Sequence, residues 1–151
     1  MHKSNAFTLI ELIFVIVILG ILSAIALPKF TTTKNLADTA KGRADVAAVR
    51  SAIVTERQGQ IIKGINSYIP KLCTLSTDTT LFLGDGNRTL LSYGIVASVS
   101  NGKWSTNGSC TSFNFKVASV DIQFDYDNLT GSFTCDRTAA NTGTTCKKMV
   151  D

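Results

Sequence analysis

The chain has 151 residues, of which 44% are hydrophobic, and a formal net charge of +4. This length fits one domain, or one domain with an appendage. The only histidine is His2 and the four cysteines include no Cys-x-x-Cys pair, which argues against a structural zinc site. The charges are dispersed, whereas a nucleic-acid interface usually has a denser basic patch.

The N-terminal part of the chain is a single apolar segment. Between Phe7 and Leu27 every residue is compatible with a lipid environment except Glu11. A helix of about twenty residues spans about 30 Å, the thickness of the hydrocarbon core of a bilayer. A secretory signal peptide is disfavoured, because the apolar stretch of such a peptide is shorter than the one found here and contains no acid. We therefore expect a membrane-spanning helix here.

Glu11 is the unusual residue of this segment. An acid inside a bilayer is unfavourable by a few kcal/mol, so such residues usually mark a function or a partner. Cleavage between Ala6 and Phe7 would create an α-amino group one helical turn away from Glu11. The ammonium and the carboxylate would then neutralise each other, within one chain or between neighbouring chains.

The stretch SNAFTLIELIFVIVILGILSAIALPKF closely resembles the N-terminal signal of type IV pilins and type II secretion pseudopilins. The similarity covers about thirty residues, and the rest of the chain carries only looser traits of the family. One position departs from the usual pattern, because most members have glycine where this chain has Ala6. The shared features are a short basic leader, a small residue before the cleavage site, Phe7, Thr8-Leu9-Ile10, Glu11, Gly20 and Pro28.

The resemblance implies a role for several of these residues. Prepilin peptidase would cleave between Ala6 and Phe7 and methylate the new amine of Phe7. Glu11 would neutralise the N-terminus of a neighbouring subunit and guide its assembly into a filament. Gly20 and Pro28 would weaken the helix at the points where it bends or melts when the subunit leaves the membrane, since both residues are poor helix formers.

A helical pattern continues after the apolar segment, from Lys29 to about Ile62. Val46, Val49 and Ile53 widen a stripe of mostly small residues, which we expect to pack against a sheet or another helix. The expected division is a leader (1–6), a transmembrane helix (7–28), its amphipathic continuation (29–62) and a globular β headgroup (63–151). The stripe, at three- and four-residue steps, consists of Ala37, Ala40, Ala44, Ala47, Ser51 and Val54.

Alternating apolar residues predict strands in the last third of the chain. Residues 113–117 and 120–126 alternate with a period of two, and a third run at 132–135 follows a turn signal at 127–131. The pattern of residues 90–97 does not decide between helix and strand. The predicted fold class is α+β, with a long N-terminal helix packed on a small antiparallel sheet, and the pilin resemblance implies the same form.

The four cysteines, Cys73, Cys110, Cys135 and Cys146, all lie in the headgroup. An even number confined to the polar part of the chain predicts two disulfides and an oxidising compartment. Four cysteines allow three connectivities. We favour Cys135–Cys146, which closes a short loop, together with Cys73–Cys110.

Oxygen-bearing side chains cluster around one predicted turn. Asp125, Asp127 and Asn128 are calcium candidates, because calcium prefers such ligands and some pseudopilins bind it in their C-terminal region. Their spacing matches no established calcium loop, and a turn needs the same residue types. No cofactor other than calcium is expected.

Three sequons, at Asn87, Asn107 and Asn128, are candidate glycosylation sites. Asp85, two residues before Asn87, fits the extended acidic sequon of bacterial oligosaccharyltransferases. Unmodified surface turns are the alternative. Trp104 follows a turn signal and is interpreted as a core anchor, with a surface binding point as the alternative.

The sequence contains no recognisable catalytic constellation, so we predict a structural protein and not an enzyme. By resemblance, it is a subunit of a type IV pilus-like or type II secretion pseudopilus filament. It would sit in the inner membrane with the headgroup in the periplasm before assembly. Its partners would be other pilin-like subunits, prepilin peptidase, the inner-membrane assembly platform and membrane lipid. The alternatives are a minor pilin for DNA uptake, a membrane-anchored periplasmic binding domain that does not polymerise, and a DNA-binding module.

Overall fold

The computed structural model describes residues 7–74 and 79–151. It divides into two compact units, one ending at Leu36 and one, here called the globular unit, comprising Ala37–Asp151. The predicted α+β class with a long N-terminal helix is confirmed. In chain order the elements are α1 (Leu9–Ile62), β1 (Thr80–Leu81), β2 (Ile95–Val96), β3 (Trp104–Thr106), β4 (Ser112–Val117), β5 (Val120–Asp127), β6 (Ser132–Cys135) and α2 (Gly143–Val150).

The C-terminus of α1 is closed by a glycine. Gly64 has a φ of +80°, a conformation that glycine adopts without a steric penalty. The Gly64 N–H donates to the carbonyl of Ile61, and the Ile65 N–H donates to the carbonyl of Gln60, both at 2.9 Å. These two bonds define a Schellman motif, which satisfies carbonyls that a helix end otherwise leaves unpaired.

The main sheet has the order β3-β4-β5-β6 and is antiparallel throughout. The predicted alternation is seen in β4 and β5, where every second residue is buried. Val120 is an exception, because it lies next to the tight turn at Ala118 and Ser119 and is 42% exposed. The undecided segment 90–97 contains β2, which pairs with β1 in a separate two-stranded sheet.

The face of α1 that the globular unit buries is only one side of the predicted stripe, the side formed by the residues that widen it. The buried positions are Gly42, Val46, Val49 and Ile53. This face lies one residue before Ala47 and Val54, which corresponds to a rotation of about 100° around the helix axis. The branched side chains have more apolar area to remove from water than alanine, so burying them contributes more free energy. The other side of the predicted stripe is exposed at all six of its positions, Ala37, Ala40, Ala44, Ala47, Ser51 and Val54.

Gly42 provides a test of this packing. A Cβ at this position would lie 2.5 Å from Cε of Met149 and 2.6 Å from Cε1 of Phe115. We expect Gly42→Val to lower the free energy of unfolding by about 1–3 kcal/mol through overpacking. Gly59→Val is the matched control in the same helix, since a Cβ at Gly59 meets nothing within 4 Å. Urea unfolding followed by the fluorescence of Trp104, the single tryptophan, measures both. Equal effects of the two substitutions would contradict the packing described here.

The core of the globular unit is aromatic. Trp104 is fully buried and its ring centroid lies 4.9 Å from that of Phe115 and 5.2 Å from that of Phe124. Its indole N–H donates to Oδ2 of Asp45 on α1 at 2.9 Å. Trp104 is therefore the predicted core anchor, and its polar atom links the sheet to the helix.

Tyr126 gives the globular unit a dependence on alkaline pH. Its hydroxyl donates to the carbonyl of Ile69 at 2.8 Å, and burial, followed by the charge of Glu56, raises the pKa of Tyr126 from 10.0 to about 12. A raised folded-state pKa contributes stability that is complete below the unfolded-state pKa and is lost as pH rises through the folded-state pKa. We therefore expect stability to fall between about pH 10 and pH 12.

The measurement is the urea midpoint at about pH 9 and about pH 11 for the wild type and for Tyr126→Phe. The variant is less stable at the lower pH, because the Ile69 carbonyl loses its partner, at a cost of about 1–3 kcal/mol. Its stability should fall less between the two pH values than that of the wild type. An equal fall in both proteins would rule out Tyr126 as the titrating group.

Two disulfides cross-link the globular unit. Cys73 pairs with Cys110 and Cys135 pairs with Cys146, which are the two pairings favoured from the sequence. The first joins the segment after α1 to the segment before β4, and the second joins β6 to α2. In the chain-entropy model, loops of these lengths contribute about 4 and about 3 kcal/mol, respectively.

Candidate functional site

The first part of α1 has an apolar surface that the protein itself leaves uncovered. Among the described residues, α1 is the one helix long and apolar enough to cross a membrane. Such a surface requires lipid or other apolar helices around it. Its exposed large side chains are Leu9, Ile10, Leu12, Ile13, Phe14, Val15, Ile16, Val17, Ile18, Leu19, Ile21, Leu22, Ile25 and Leu27.

Glu11 takes part in the N-terminal cap of α1. The Glu11 N–H donates to Oγ1 of Thr8 at 3.3 Å, and Oε2 of Glu11 accepts from Oγ1 of Thr8 at 3.4 Å and from the Thr8 N–H at 3.5 Å. Thr8 precedes the first helical residue, so the pair forms a capping box. The sequence analysis missed this cap, although the spacing Thr-x-x-Glu is its signature.

The cap determines where the carboxylate of Glu11 is held. Oε2 lies at the positive end of the helix dipole, one turn from Phe7, whose side chain is 73% exposed. A carboxylate in this position also suits a positively charged partner that arrives from outside the chain. Ala6 lies outside the described residues, so cleavage between Ala6 and Phe7 stays a prediction.

Gly20 and Pro28 both lie inside a continuous α1. A Cβ on Gly20 would meet nothing within 4 Å, so no contact within the chain requires glycine there. After Pro28, the hydroxyls of Thr31, Thr32 and Thr33 donate to the carbonyls four residues earlier, at 3.2, 3.2 and 3.0 Å. Threonines bonded in this way slightly destabilise and often bend helices. Weakening of the helix at Gly20 and Pro28 stays a prediction.

The three calcium candidates already make local contacts or face solvent. Asp125 accepts from Gln123 at 3.0 Å and from the hydroxyl of Ser112, and Asn128 is exposed. Asp127 accepts from the Leu129 N–H at 2.9 Å and from the Thr130 hydroxyl at 2.8 Å, and these bonds lower the pKa of Asp127. Within residues 7–74 and 79–151, no three His, Cys, Asp or Glu side chains form a group that fits a metal ion. Calcium binding stays a prediction.

The apolar helix and its N-terminal cap coincide with a known sequence motif. The family model described as the prokaryotic N-terminal methylation motif matches residues 1–27 of this chain. The match covers the start of the chain up to Leu27 and does not extend into the globular unit.

The relatives are a pilus component and secretion-system proteins. The chain is 54% identical over 50 residues to the type IV narrow pilus major component PilA5 of Thermus thermophilus, covering 33% of this chain and 43% of the relative. It is 40% identical over 53 residues to the type II secretion system core protein G of Vibrio cholerae, covering 35% and 36%. The core protein G of Pectobacterium carotovorum is 36% identical over 52 residues, covering 34% and 33%.

The matched segments therefore span less than half the length of these relatives. No solved structure matches the chain. Together with the methylation motif, the matches confirm the resemblance to type IV pilins and type II secretion pseudopilins. The relatives are described as structural components and not as enzymes.

Proposed function

We propose that the protein is a pilin-like structural subunit. It is made as an inner-membrane precursor, cleaved between Ala6 and Phe7, methylated on the amine of Phe7, and assembled through α1 into a pilus or pseudopilus filament. The observation that carries the proposal is the N-terminal methylation motif at residues 1–27, joined directly to an uncovered apolar helix. Prepilin peptidase and an inner-membrane assembly platform are the partners that this route requires.

The physical chemistry of the membrane explains why such a subunit needs Glu11. Apolar side chains gain nothing by leaving lipid for a bundle of equally apolar helices, so hydrophobicity alone does not drive association there. Close packing and polar contacts decide instead, and small residues such as Gly20, Ser23 and Ala24 allow close approach. A charge pair between Glu11 and the Phe7 amine of a neighbour is the contact that selects one register.

The disulfides support a periplasmic position for the headgroup. Bonds such as Cys73–Cys110 persist in oxidising compartments and are rare in the cytosol. The proposed precursor therefore spans the inner membrane once, with the headgroup outside the cytoplasm.

The test is the intact mass of the full chain recovered from its native membrane. We expect a mature chain that begins with N-methylated Phe7 and is two hydrogens lighter for each disulfide. The control is Ala6→Gly, which restores the commoner residue before the cut and should give the same mature mass. A native chain that begins at Met1, or one cut near Ala26, would refute the processing route.

A further inference from the structure

We propose that Asn87 is an acceptor for N-linked glycosylation. The donor would be an oligosaccharide linked to a lipid pyrophosphate, and the acceptor sequence is Asp85-Gly86-Asn87-Arg88-Thr89. This modification goes beyond the filament role and does not depend on cleavage at Phe7.

The acceptor lies at the tip of a short hairpin-like loop. Gly84 and Thr89 form an antiparallel bridge, and the Leu90 N–H donates to the carbonyl of Leu83 at 2.9 Å. The side chains of Asn87 and Thr89 are both exposed. Exposed loop tips of this kind are the places where a modifying enzyme reaches a folded protein most easily.

Arg88 fixes the loop to the segment that follows α1. Its guanidinium donates to the carbonyl of Ser67 at 3.1 Å and to the Ser67 hydroxyl at 3.0 Å. Its Nε lies 3.8 Å from Oε1 of Glu56, whose side chain is only 5% exposed. The Arg88 side chain is bound to the globular unit. Its two neighbours in the chain, the acceptor Asn87 and the hydroxyl residue Thr89, face solvent.

Asp85 supplies the acidic position of the extended sequon. Its Oδ1 accepts from the N–H groups of Asn87 at 3.0 Å and of Arg88 at 2.7 Å. A neutral asparagine at this position keeps the accepting oxygen for the turn and loses only the charge. The single substitution Asp85→Asn therefore removes the charge while it preserves the turn.

The other two sequons are less suited as acceptors. The Asn107 side chain exchanges two hydrogen bonds with that of Asn114, at 2.7 and 3.3 Å. Near Asn128, the hydroxyl of Thr130 donates to Asp127 at 2.8 Å and is therefore already engaged. Neither sequon has an acid two residues before the asparagine.

The transfer itself is a substitution at the anomeric carbon of the first sugar. The side-chain nitrogen of Asn87 forms a bond to this carbon, and the bond from the carbon to the pyrophosphate oxygen breaks. The lipid pyrophosphate leaves with the electron pair, and the displaced amide proton passes to a base of the transferase. Nothing is oxidised or reduced.

The experiment uses the purified full chain in detergent. It is incubated with a bacterial oligosaccharyltransferase that requires the acidic sequon and with a lipid-pyrophosphate-linked oligosaccharide of known mass. We expect the intact mass to increase by one oligosaccharide, and peptide fragmentation to place it on Asn87. Asn87→Gln should abolish the increase, and Asp85→Asn should reduce it at least about tenfold. Asn128→Gln is the matched control and should leave it unchanged.

A synthetic peptide of residues 85–89 is assayed in parallel. If the peptide accepts the glycan and the chain does not, the folded loop is no acceptor and the proposal is wrong. It is also wrong if neither the chain nor the peptide is modified, or if the glycan is attached to Asn107 or Asn128 instead of Asn87. An Asp85→Asn chain modified as fast as the wild type would overturn the role of the acid.

Discussion

A chain with Glu11→Ala is expected to stay in the membrane and to lose filament assembly. The acid makes membrane insertion less favourable, so its removal leaves the anchor intact or improves it. Assembly loses the proposed polar contact between subunits, worth about 1–2 kcal/mol at each interface, and this loss is repeated along the filament. The measurement is the amount of sheared or sedimented filament relative to the amount of subunit in the membrane.

Glu11→Gln is the matched variant, because it separates the charge from the cap. Glutamine also completes a capping box with Thr8, so the helix terminus is preserved while the charge is removed. We expect this variant to fail in assembly as Glu11→Ala does. Assembly at the wild-type level by the glutamine variant would show that Glu11 acts as a cap and not as a charge partner. Normal assembly by Glu11→Ala would leave a simple membrane anchor as the better interpretation.

The second large effect is expected at Trp104. Trp104→Ala removes a fully buried side chain that packs against several aromatic rings, and should lower the free energy of unfolding by about 3–5 kcal/mol. The loss is a large fraction of the stability of a small domain. Urea unfolding followed by circular dichroism is the measurement, since the substitution removes the tryptophan signal.

Trp104→Phe keeps most of the ring and removes the N–H that bonds to Asp45. We expect a smaller loss, about 1–3 kcal/mol, because the half-buried carboxylate of Asp45 is left without this donor. In an Asp45→Ala background the same Trp104→Phe change should have less effect, as a double-mutant cycle would show. An additive cycle would mean that the hydrogen bond contributes no net stability.

Residue types and periodicity predicted a large part of this molecule. The apolar segment, the acid at Glu11 and the period-two runs at 113–117 and 120–126, apart from the exposed Val120, each follow from local chemistry that one sequence carries. The capping box could also have been predicted from Thr8 and Glu11, since Thr-x-x-Glu before an apolar run is its signature. The Cys pairing was a choice among three that no local rule decides.

The buried face of α1 was predicted only in part, for a physical reason. Periodicity identifies apolar positions on a helix, but two such stripes lie side by side here. The stripe through Ala44 and Ala47 is longer and more regular, whereas the stripe through Val46, Val49 and Ile53 has the larger side chains. The aromatic sheet packs against the stripe with the larger side chains and not against the more regular one. The space available opposite each face of the helix depends on the folded sheet and cannot be derived from the helix sequence.

The two disulfides limit how far the globular unit can extend under force. The residues that a cross-link encloses cannot extend when the chain is pulled from its ends, and the pairs here are separated by 37 and 11 positions. At about 3.4 Å per extended residue, these loops hold back about 160 Å of chain length. With both bonds intact the globular unit therefore lengthens less when its sheet is pulled open than it does with both bonds reduced.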